Sequence, residues 1–289
     1  MGEAEPPKGL TCRAAFLSDI HLGTRACKAE DLLAFLHDLQ CDVIYLVGDV
    51  LDGWKLKSGW RWPRSHSEVV HELLRQARAG VKVVYIPGNH DDRIREFLGA
   101  HFAGIEVALE AVHVGADGRS WLVAHGDLFD EGHGGVSAFI GDWGYRLILW
   151  IDGALRRLRA RWKLSPWSFS AWVKARTPAV RAHIDRFERA AAREARRRGL
   201  QGVICGHIHQ AAMREIDGVA YVNDGDWVES CTAAIERLDG RIEIVRWAAG
   251  RTAEPRAIGL EPWAFPAGPA ALPWPASGAS AAANVSGGG

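Results

Sequence analysis

The sequence predicts an α/β fold built on a parallel sheet. Three short apolar runs, Arg13–Ser18, Val43–Val47 and Val81–Ile86, are predicted to be buried strands, and two stretches with helical spacing separate them. Asp, Asn or His closely follows the end of each run. This β-α-β-α-β order is typical of a parallel sheet, in which ligands bind beyond the carboxyl ends of the strands.

Two amphipathic helices are predicted between these strands, and further elements follow the third strand. The helices are Lys28–Leu39, with apolar residues three and four apart, and about Ser67–Ala79. Another helix is expected to begin within Asp92–Leu98. Strands are expected at Val107–Val114 and Ser120–Ala124, joined by a turn that contains an Asp-Gly pair.

The segment from about residue 134 to residue 199 differs from the rest in composition. Its apolar residues recur at helical spacing, which predicts long amphipathic helices. Between Arg146 and Arg198, fifteen Arg and Lys stand against four Asp and Glu, a net charge of +11 in a chain whose formal net charge is 0. Five of the 13 tryptophans lie here as well. The segment is therefore predicted to be an inserted helical subdomain.

The chain returns to strands after this insertion. They are expected at Gly202–Cys205, Met213–Ile216, Val219–Asn223, Thr232–Leu238 and Arg241–Trp247, the last two joined by an Asp-Gly hairpin turn. The predicted organisation is a flexible amino terminus at residues 1–12 and one domain at residues 13–249 that contains the 134–199 insertion. Residues 250–289, rich in Ala, Pro and Gly, are expected to be a disordered tail.

Composition indicates a globular cytoplasmic protein. At 289 residues and 31.6 kDa, the chain is long enough to bury a sizeable core. The five cysteines are scattered and odd in number, with no C-x-x-C pair, which favours reduced thiols in a reducing compartment. The amino terminus lacks the apolar segment of a signal peptide, and no apolar run reaches the ~18 residues of a membrane span.

Five loops at strand ends carry the residues that bear chemistry. They are Asp19 and His21, Asp49 and Asp52, Asn89 and His90, His125, and His207 and His209. Carboxylate, imidazole and amide oxygen without thiolate suit divalent ions such as Mn²⁺, Fe²⁺ or Zn²⁺. Because these ligands outnumber what one ion needs, two ions that share a carboxylate are predicted. Any single His or Asp here could equally cap or brace its loop, so the prediction depends on all five loops together.

These motifs resemble the five motifs of the calcineurin-like metallophosphoesterase superfamily, in the same order, over about residues 19–209. The resemblance implies a four-layer α/β/β/α sandwich. It also implies that one metal is held by Asp19, His21, Asp49 and His209, with Asp49 bridging, and that the second is completed by Asn89, His125 and His207.

The same resemblance implies that His90 protonates the leaving oxygen or binds the phosphate, oriented by Asp52. An imidazole beside a carboxylate is a stronger base and is better placed for proton transfer. The alternative is that His90 only braces the site.

Within the superfamily, the chain is most similar to the UDP-2,3-diacylglucosamine diphosphatases of lipid A biosynthesis and their relatives. The form His125-Gly126-Asp127, the insertion after it and the overall size carry this likeness. It implies cleavage of a nucleotide-diphosphate lipid with Mn²⁺. His90 departs from the Arg that the best-known lipid A enzymes carry there and would suit a poorer leaving group. The alternative is a phosphoesterase for nucleic acid, cyclic nucleotides or small phosphoesters; a non-catalytic scaffold is the third hypothesis.

The basic insertion bears on the choice of partner. A Trp-rich and Arg-rich helical pair could act as a lid and could contact an anionic membrane through residues 143–198, which would place the protein on the inner face of the cytoplasmic membrane. A dimer interface or an ordinary helical cover would explain the same pattern. Nucleic acid is the other partner that a basic, aromatic segment suggests, but the continuous apolar stripe argues against it. The oligomeric state stays open.

Overall fold

The computed structural model describes residues 9–59, 61–130, 178–247 and 256–257. Most of the predicted insertion, the first eight residues and nearly all of the tail lie outside these ranges. Of the predicted 134–199 insertion only residues 178–199 are described, and of the predicted tail only residues 256–257; the apolar stripe of Trp143, Leu147, Ile151 and Leu155 falls outside the described residues. In the described ranges, no helix is both long and apolar enough to span a membrane.

The larger sheet, sheet I, has eight strands and contains the predicted parallel unit. In chain order its strands are β2 (Ala14–Leu17), β4 (Val43–Val47), β5 (Lys82–Ile86), β6 (His101–Phe102), β7 (Ile105–Val107), β13 (Thr232–Glu236), β14 (Ile242–Arg246) and β15 (Arg256–Ala257). Strands β2, β4, β5 and β7 are parallel, whereas β6, β13, β14 and β15 pair antiparallel to their neighbours. The spatial order is β15-β14-β13-β2-β4-β5-β7-β6.

The smaller sheet, sheet II, has five strands in the order β11-β12-β10-β9-β8. They are β8 (Ala111–Val114), β9 (Ser120–Val123), β10 (Gly202–Cys205), β11 (Ala212–Ile216) and β12 (Val219–Asn223). Strands β9, β10 and β12 are parallel, and the edge strands β8 and β11 are antiparallel. Strands β1 (Leu10–Thr11) and β3 (Leu39–Gln40) form a separate parallel pair that belongs to neither sheet.

Four α-helices and two 3₁₀ turns are described. The helices are α1 (Ala29–Asp38), α2 (Gly53–Ser58), α3 (Arg64–Arg78) and α4 (Pro178–Arg197). The 3₁₀ turns are Asp92–Phe97 and Asp127–Phe129. Asp52 caps α2, since its Oδ1 accepts a hydrogen bond of 2.9 Å from the Lys55 backbone N–H.

Side-chain alternation along the strands confirms the four-layer sandwich. Leu17, Ile44 and Leu46 point to the outer face of sheet I, where they pack with α1 and α3. Phe16 and Tyr45, which alternate with them, pack instead against the inner face of sheet II. The outer face of sheet II is in turn covered by α4. Because successive strand residues point to opposite faces, two sheets with helices outside them bury both faces of each.

Glu236 ties the two sheets together at the amino end of β2. Its carboxylate is fully buried and accepts hydrogen bonds from Arg13 Nη1 at 3.1 Å, from the Ala116 backbone N–H at 2.7 Å and from His113 Nε2 at 3.0 Å. Burial raises the pKa of Glu236, but these donors outweigh it, so the pKa lies below its usual value. A buried carboxylate is stable here because each oxygen has a donor.

Two predicted elements differ from the structure. The strand predicted at Val107–Val114 is wrong as one element: residues 105–107 form β7 in sheet I, and residues 111–114 form β8 in sheet II. The chain changes sheets in between, which an apolar pattern alone does not show. The helix expected to begin within Asp92–Leu98 is present, but as the short 3₁₀ helix Asp92–Phe97 rather than an α-helix.

Candidate metal centre

The predicted site residues follow the carboxyl ends of five parallel strands from both sheets. The order is Asp19 and His21 after β2, Asp49 after β4, Asn89 and His90 after β5, His125 after β9, and His207 and His209 after β10. Contacts across the seam are short: Asp19 Oδ1 lies 3.1 Å from His209 Nε2, and Asp49 Oδ2 lies 3.5 Å from His125 Nε2. The strand ends of both sheets therefore meet at one edge of the sandwich.

Three overlapping sets of ligand atoms converge at this edge, each with its atoms within 4.8 Å of one another. They are Asp19 with His21 and His209, His21 with Asp49 and His90, and Asp19 with Asp49 and His125. Each of the two aspartates belongs to two sets, so either carboxylate has the position that a shared ligand requires.

The donor set fits a bound cation. Asp19 Oδ1 is buried and accepts no hydrogen bond within the described part of the chain. His125 Nδ1 lies 2.9 Å from the Val47 carbonyl oxygen and donates to it, which leaves Nε2 as the nitrogen for an ion. The Nε2 atoms of His21 and His209 lie 3.4 Å apart. A cation between these atoms would stabilise their converging lone pairs.

The electrostatics of the cluster agree with this fit. Burial lowers the pKa of His21 and His125, but the nearby carboxylates outweigh it and raise each pKa to about 10. Burial likewise raises the pKa of Asp19, Asp49 and Asp52, but the imidazoles lower all three, that of Asp52 to about 2. Without a cation, protons on the imidazoles balance the carboxylates. Metal ligation requires neutral imidazole, so a bound divalent ion takes the place of those protons.

The backbone at the site is strained. Eight described non-glycine residues have a positive φ, and five of them are predicted ligands: Asp19, His21, Asp49, His207 and His209, with φ from 49° to 72°. This left-handed conformation costs about 1–3 kcal/mol per residue and persists where the surroundings enforce it. Five of these eight residues lie in the predicted ligand loops, so the surrounding structure holds those loops in this conformation.

His90 lies at the edge of the cluster beside Asp52 and Trp54. Its Nδ1 is 3.4 Å from Asp52 Oδ1, and its ring centroid is 4.0 Å from that of Trp54, which is half-exposed. Asp52 Oδ2 also lies 3.6 Å from His21 Nδ1. The predicted pairing of His90 with Asp52 is therefore present as an ion-pair contact. Trp54, which covers His90, was missed by the sequence interpretation, although it lies two residues after Asp52.

Asn89 and His207 both lie next to His125. Asn89 Oδ1 lies 3.3 Å from His125 Nε2, which is a ligand-like approach. His207 packs its ring 5.1 Å from that of His125, and its Nε2 lies 3.6 Å from Asp130 Oδ2. His207 belongs to none of the three converging sets.

Asp91 braces two of the loops. Its Oδ2 accepts hydrogen bonds from the backbone N–H groups of Val50 and Leu51, at 2.9 and 3.3 Å, and from Tyr85 Oη at 2.5 Å. Its Oδ1 accepts a bond of 2.6 Å from the Gly88 N–H. Asp91 is thus the side chain that fixes the Asp49 loop against the Asn89 loop.

A buried hydrogen-bond network positions Asp19. Ser18 Oγ lies 2.8 Å from Asp19 Oδ2 and also contacts Asp224 Oδ1. Burial raises the pKa of Asp224 well above its usual value, and the charge of Asp19 adds to this. Ser18 Oγ therefore lies between the two carboxylates and can donate its proton to either of them. Gly206 leaves room for this contact, since a Cβ there would lie 2.2 Å from Ser18 Oγ.

Comparisons with known proteins find one family model and two relatives. The model of the family "Calcineurin-like phosphoesterase" matches residues 12–211. The UDP-2,3-diacylglucosamine hydrolase of Neisseria gonorrhoeae is 25% identical over 239 residues, 78% of this chain and 93% of that protein. The DNA polymerase II small subunit of Methanothermobacter thermautotrophicus is 29% identical over 160 residues, 43% of this chain, and the match spans only 32% of that subunit's length.

Among solved structures, the phosphoesterase Yfce from E. coli aligns with a TM-score of 0.43 at 15% identity, over 85% of this chain and 96% of that one. The family match alone covers more than half of the chain and all predicted site residues. The chain belongs to the calcineurin-like phosphoesterase family, a family of hydrolases that act on phosphoester bonds with divalent metals.

Proposed function

We propose that this chain hydrolyses phosphoester or diphosphate bonds at a centre of two divalent ions that share Asp49, with Mn²⁺ as the preferred ion and Fe²⁺ or Zn²⁺ as alternatives. The supporting observation is the overlap of three converging ligand sets in one buried cluster. Asp19, His21 and His209 would hold one ion together with Asp49. The second would be completed by Asn89, His125 and His207.

The chemistry that such ions supply when bound is activation of water at neutral pH and neutralisation of phosphoryl charge. The protein's own part is to place a proton donor beside them. Asp52, 3.4 Å from Nδ1 of His90, favours a proton on that nitrogen and leaves Nε2 for the leaving oxygen. The His90 side chain is about 20% exposed, so a substrate can reach it.

For the substrate, we favour a UDP-acylglucosamine-type lipid precursor, cleaved at its diphosphate. The support is the likeness to the N. gonorrhoeae hydrolase, which extends over most of both chains. Contact with an anionic membrane through residues 143–198 stays a prediction, because residues 143–177 lie outside the described part of the chain.

A phosphodiesterase or phosphomonoesterase acting on nucleic acid, cyclic nucleotides or small phosphoesters is the second candidate. The observation that favours it is His90 with Asp52 behind it. A general acid is worth ~10²–10⁴ in rate when the leaving oxygen is a poor leaving group, whereas a phosphate monoester leaves without one.

The test uses purified protein loaded with Mn²⁺ and three substrates: UDP-2,3-diacylglucosamine, bis(p-nitrophenyl) phosphate and single-stranded DNA. We expect two ions per chain by metal analysis and hydrolysis of the lipid precursor with the highest kcat/KM. Hydrolysis of DNA or of the small diester alone would favour the second candidate. No hydrolysis of any of the three would contradict the proposed function.

His90→Ala separates the roles proposed for His90. If His90 donates the proton, the variant should lose far more rate on an ester with an alkoxide leaving group than on an activated p-nitrophenyl ester. Its metal content should remain unchanged. Equal losses on both esters would show that His90 binds phosphate or braces the site.

A further inference from the structure

A cavity of about 870 Å³ opens beside the metal centre, between α4, the 3₁₀ turn Asp127–Phe129 and the loop that follows β5. His125 contributes to its wall and also belongs to the converging ligand sets. A molecule with one phosphoryl group at the metal centre could therefore extend into this cavity.

The cavity wall carries an excess of positive charge. Five arginines line it against three carboxylates: Arg95, Arg193, Arg196, Arg197 and Arg198 against Glu110, Asp127 and Glu194. All three carboxylates form ion pairs with arginines of this wall. Asp127 pairs with Arg95, Glu110 pairs with Arg198, and Glu194 pairs with Arg197 and Arg198.

Arg193 and Arg196 are the two arginines left over. Among the described residues, no carboxylate lies within ion-pair distance of either guanidinium, and both side chains are exposed. They are three residues apart on α4, so they project from the same side of the helix. Guanidinium groups in this arrangement can bind one phosphate through charge-assisted hydrogen bonds.

The remaining wall is apolar and gives the cavity a second chemical character. Leu109 and Leu128 line it and are 38% and 59% exposed, and Pro87 and Phe129 lie beside them. Arg95 Nε is buried with no hydrogen-bond acceptor in the described ranges, and Arg95 lines the same cavity. A ligand for this wall has an anionic group and an apolar or aromatic part.

We propose that this cavity is a second anion subsite, in which Arg193 and Arg196 bind a phosphate group of the substrate other than the one that is cleaved. The inference rests on the proposed function, since it assumes that one phosphoryl group occupies the metal centre. It narrows the substrate class to esters that carry at least two phosphate groups and an apolar or aromatic moiety.

The test compares two probes that differ by one phosphate, adenosine 3′,5′-bisphosphate and adenosine 5′-monophosphate, by isothermal titration calorimetry on the full, metal-loaded chain. We expect the bisphosphate to bind about tenfold more tightly, the lower end of what hydrogen bonds to charged groups contribute. Arg193→Gln combined with Arg196→Gln should remove that advantage. Arg189→Gln is the matched control, because Arg189 is exposed on α4 but does not line the cavity.

The proposal is overturned if the unchanged protein shows no preference for the bisphosphate, or if the double variant keeps the preference. A lipid surface is the other source of phosphate, so flotation with phosphatidylglycerol vesicles is measured in parallel. If the double variant loses flotation while its nucleotide binding is unchanged, the arginines face a membrane and the subsite is wrong. Calorimetry needs no turnover, so absence of hydrolysis would count against the proposed function and not against binding here.

Discussion

Replacing Asp91 by Asn should weaken metal binding and lower the stability of the fold, although Asp91 is not a predicted ligand. The carboxylate accepts from three backbone N–H groups and one hydroxyl. An amide offers one oxygen in place of two. If its nitrogen takes the place of Oδ1, the Gly88 N–H faces another donor; if it takes the place of Oδ2, the N–H groups of Val50 and Leu51 do.

The expected loss of stability follows from the number of N–H groups that lose their acceptor. In the less costly orientation, one buried N–H group loses its acceptor, which costs about 1–3 kcal/mol. Burial and the neighbouring Asp49 raise the pKa of Asp91. The loss nevertheless does not depend on its protonation state, because a protonated carboxyl still accepts from Gly88 and Val50 where an amide nitrogen cannot.

The assay is urea unfolding of metal-loaded protein, followed by circular dichroism, with metal content measured on the same samples. Asp92→Asn is the control: it makes the same chemical change one residue along the chain, at an exposed position. We expect Asp91→Asn to lower the free energy of unfolding by about 1–3 kcal/mol and to reduce bound metal. If the two variants agree within about 0.5 kcal/mol, the typical effect of a neutral surface change, Asp91 does not brace the loops.

Three further outcomes are expected. Gly206→Ala should lower the free energy of unfolding in urea by about 1–3 kcal/mol through overpacking, because the new Cβ would lie 2.2 Å from Ser18 Oγ. Gly59→Ala is the control and should change this free energy little, because no described atom lies within 4 Å of its new Cβ. Because the pKa of Glu236 is lowered in the folded protein, its ionised carboxylate stabilises the fold above the usual Glu pKa of about 4.3, and this stabilisation is lost as the pH falls. The melting temperature of Glu236→Gln should therefore decline less between about pH 5 and about pH 3 than that of the unchanged protein. An equal decline in both would refute this reasoning. Asp49→Ala should lower the content of both metal ions, and two tightly bound ions in that variant would show that Asp49 is not shared.

Much of the site could be predicted because its chemistry and its position in the chain coincide. A polar pair such as Asp19 and His21 closely follows a buried apolar run, and parallel strands end at the same edge. Local pattern therefore located the loops whose side chains converge, and their residue types predict a divalent metal ion. The strands β4 and β12 were predicted with their observed bounds, since each is a short apolar run with turn residues beside it.

The supporting contacts could not be predicted, because they join residues far apart in the chain. Ser18 and Asp224 are separated by 206 positions, and neither belongs to an amphipathic pattern that would bring them together. Asp91 stands beside His90 in the sequence, but three of its four partners are backbone N–H groups, which no sequence pattern identifies. The change of sheet after Val107 has the same cause: an apolar run does not show which sheet its residues join.

The candidate metal centre takes its residues from loops of both sheets. Its geometry therefore depends on the core that packs between the sheets. Further contacts cross the seam at these residues: His125 Nδ1 donates to the Val47 carbonyl oxygen, the backbone N–H of His207 donates to Asp19 at 2.8 Å, and Ser18 fills the space left at Gly206. Each joins a loop of one sheet to a loop or strand of the other. A change in the spacing of the sheets would therefore move Asp19 relative to His125, and catalytic geometry tolerates displacements of only about 0.5 Å. The buried, interdigitated core between the sheets thus acts on the reaction by fixing the distance between two halves of one ligand set.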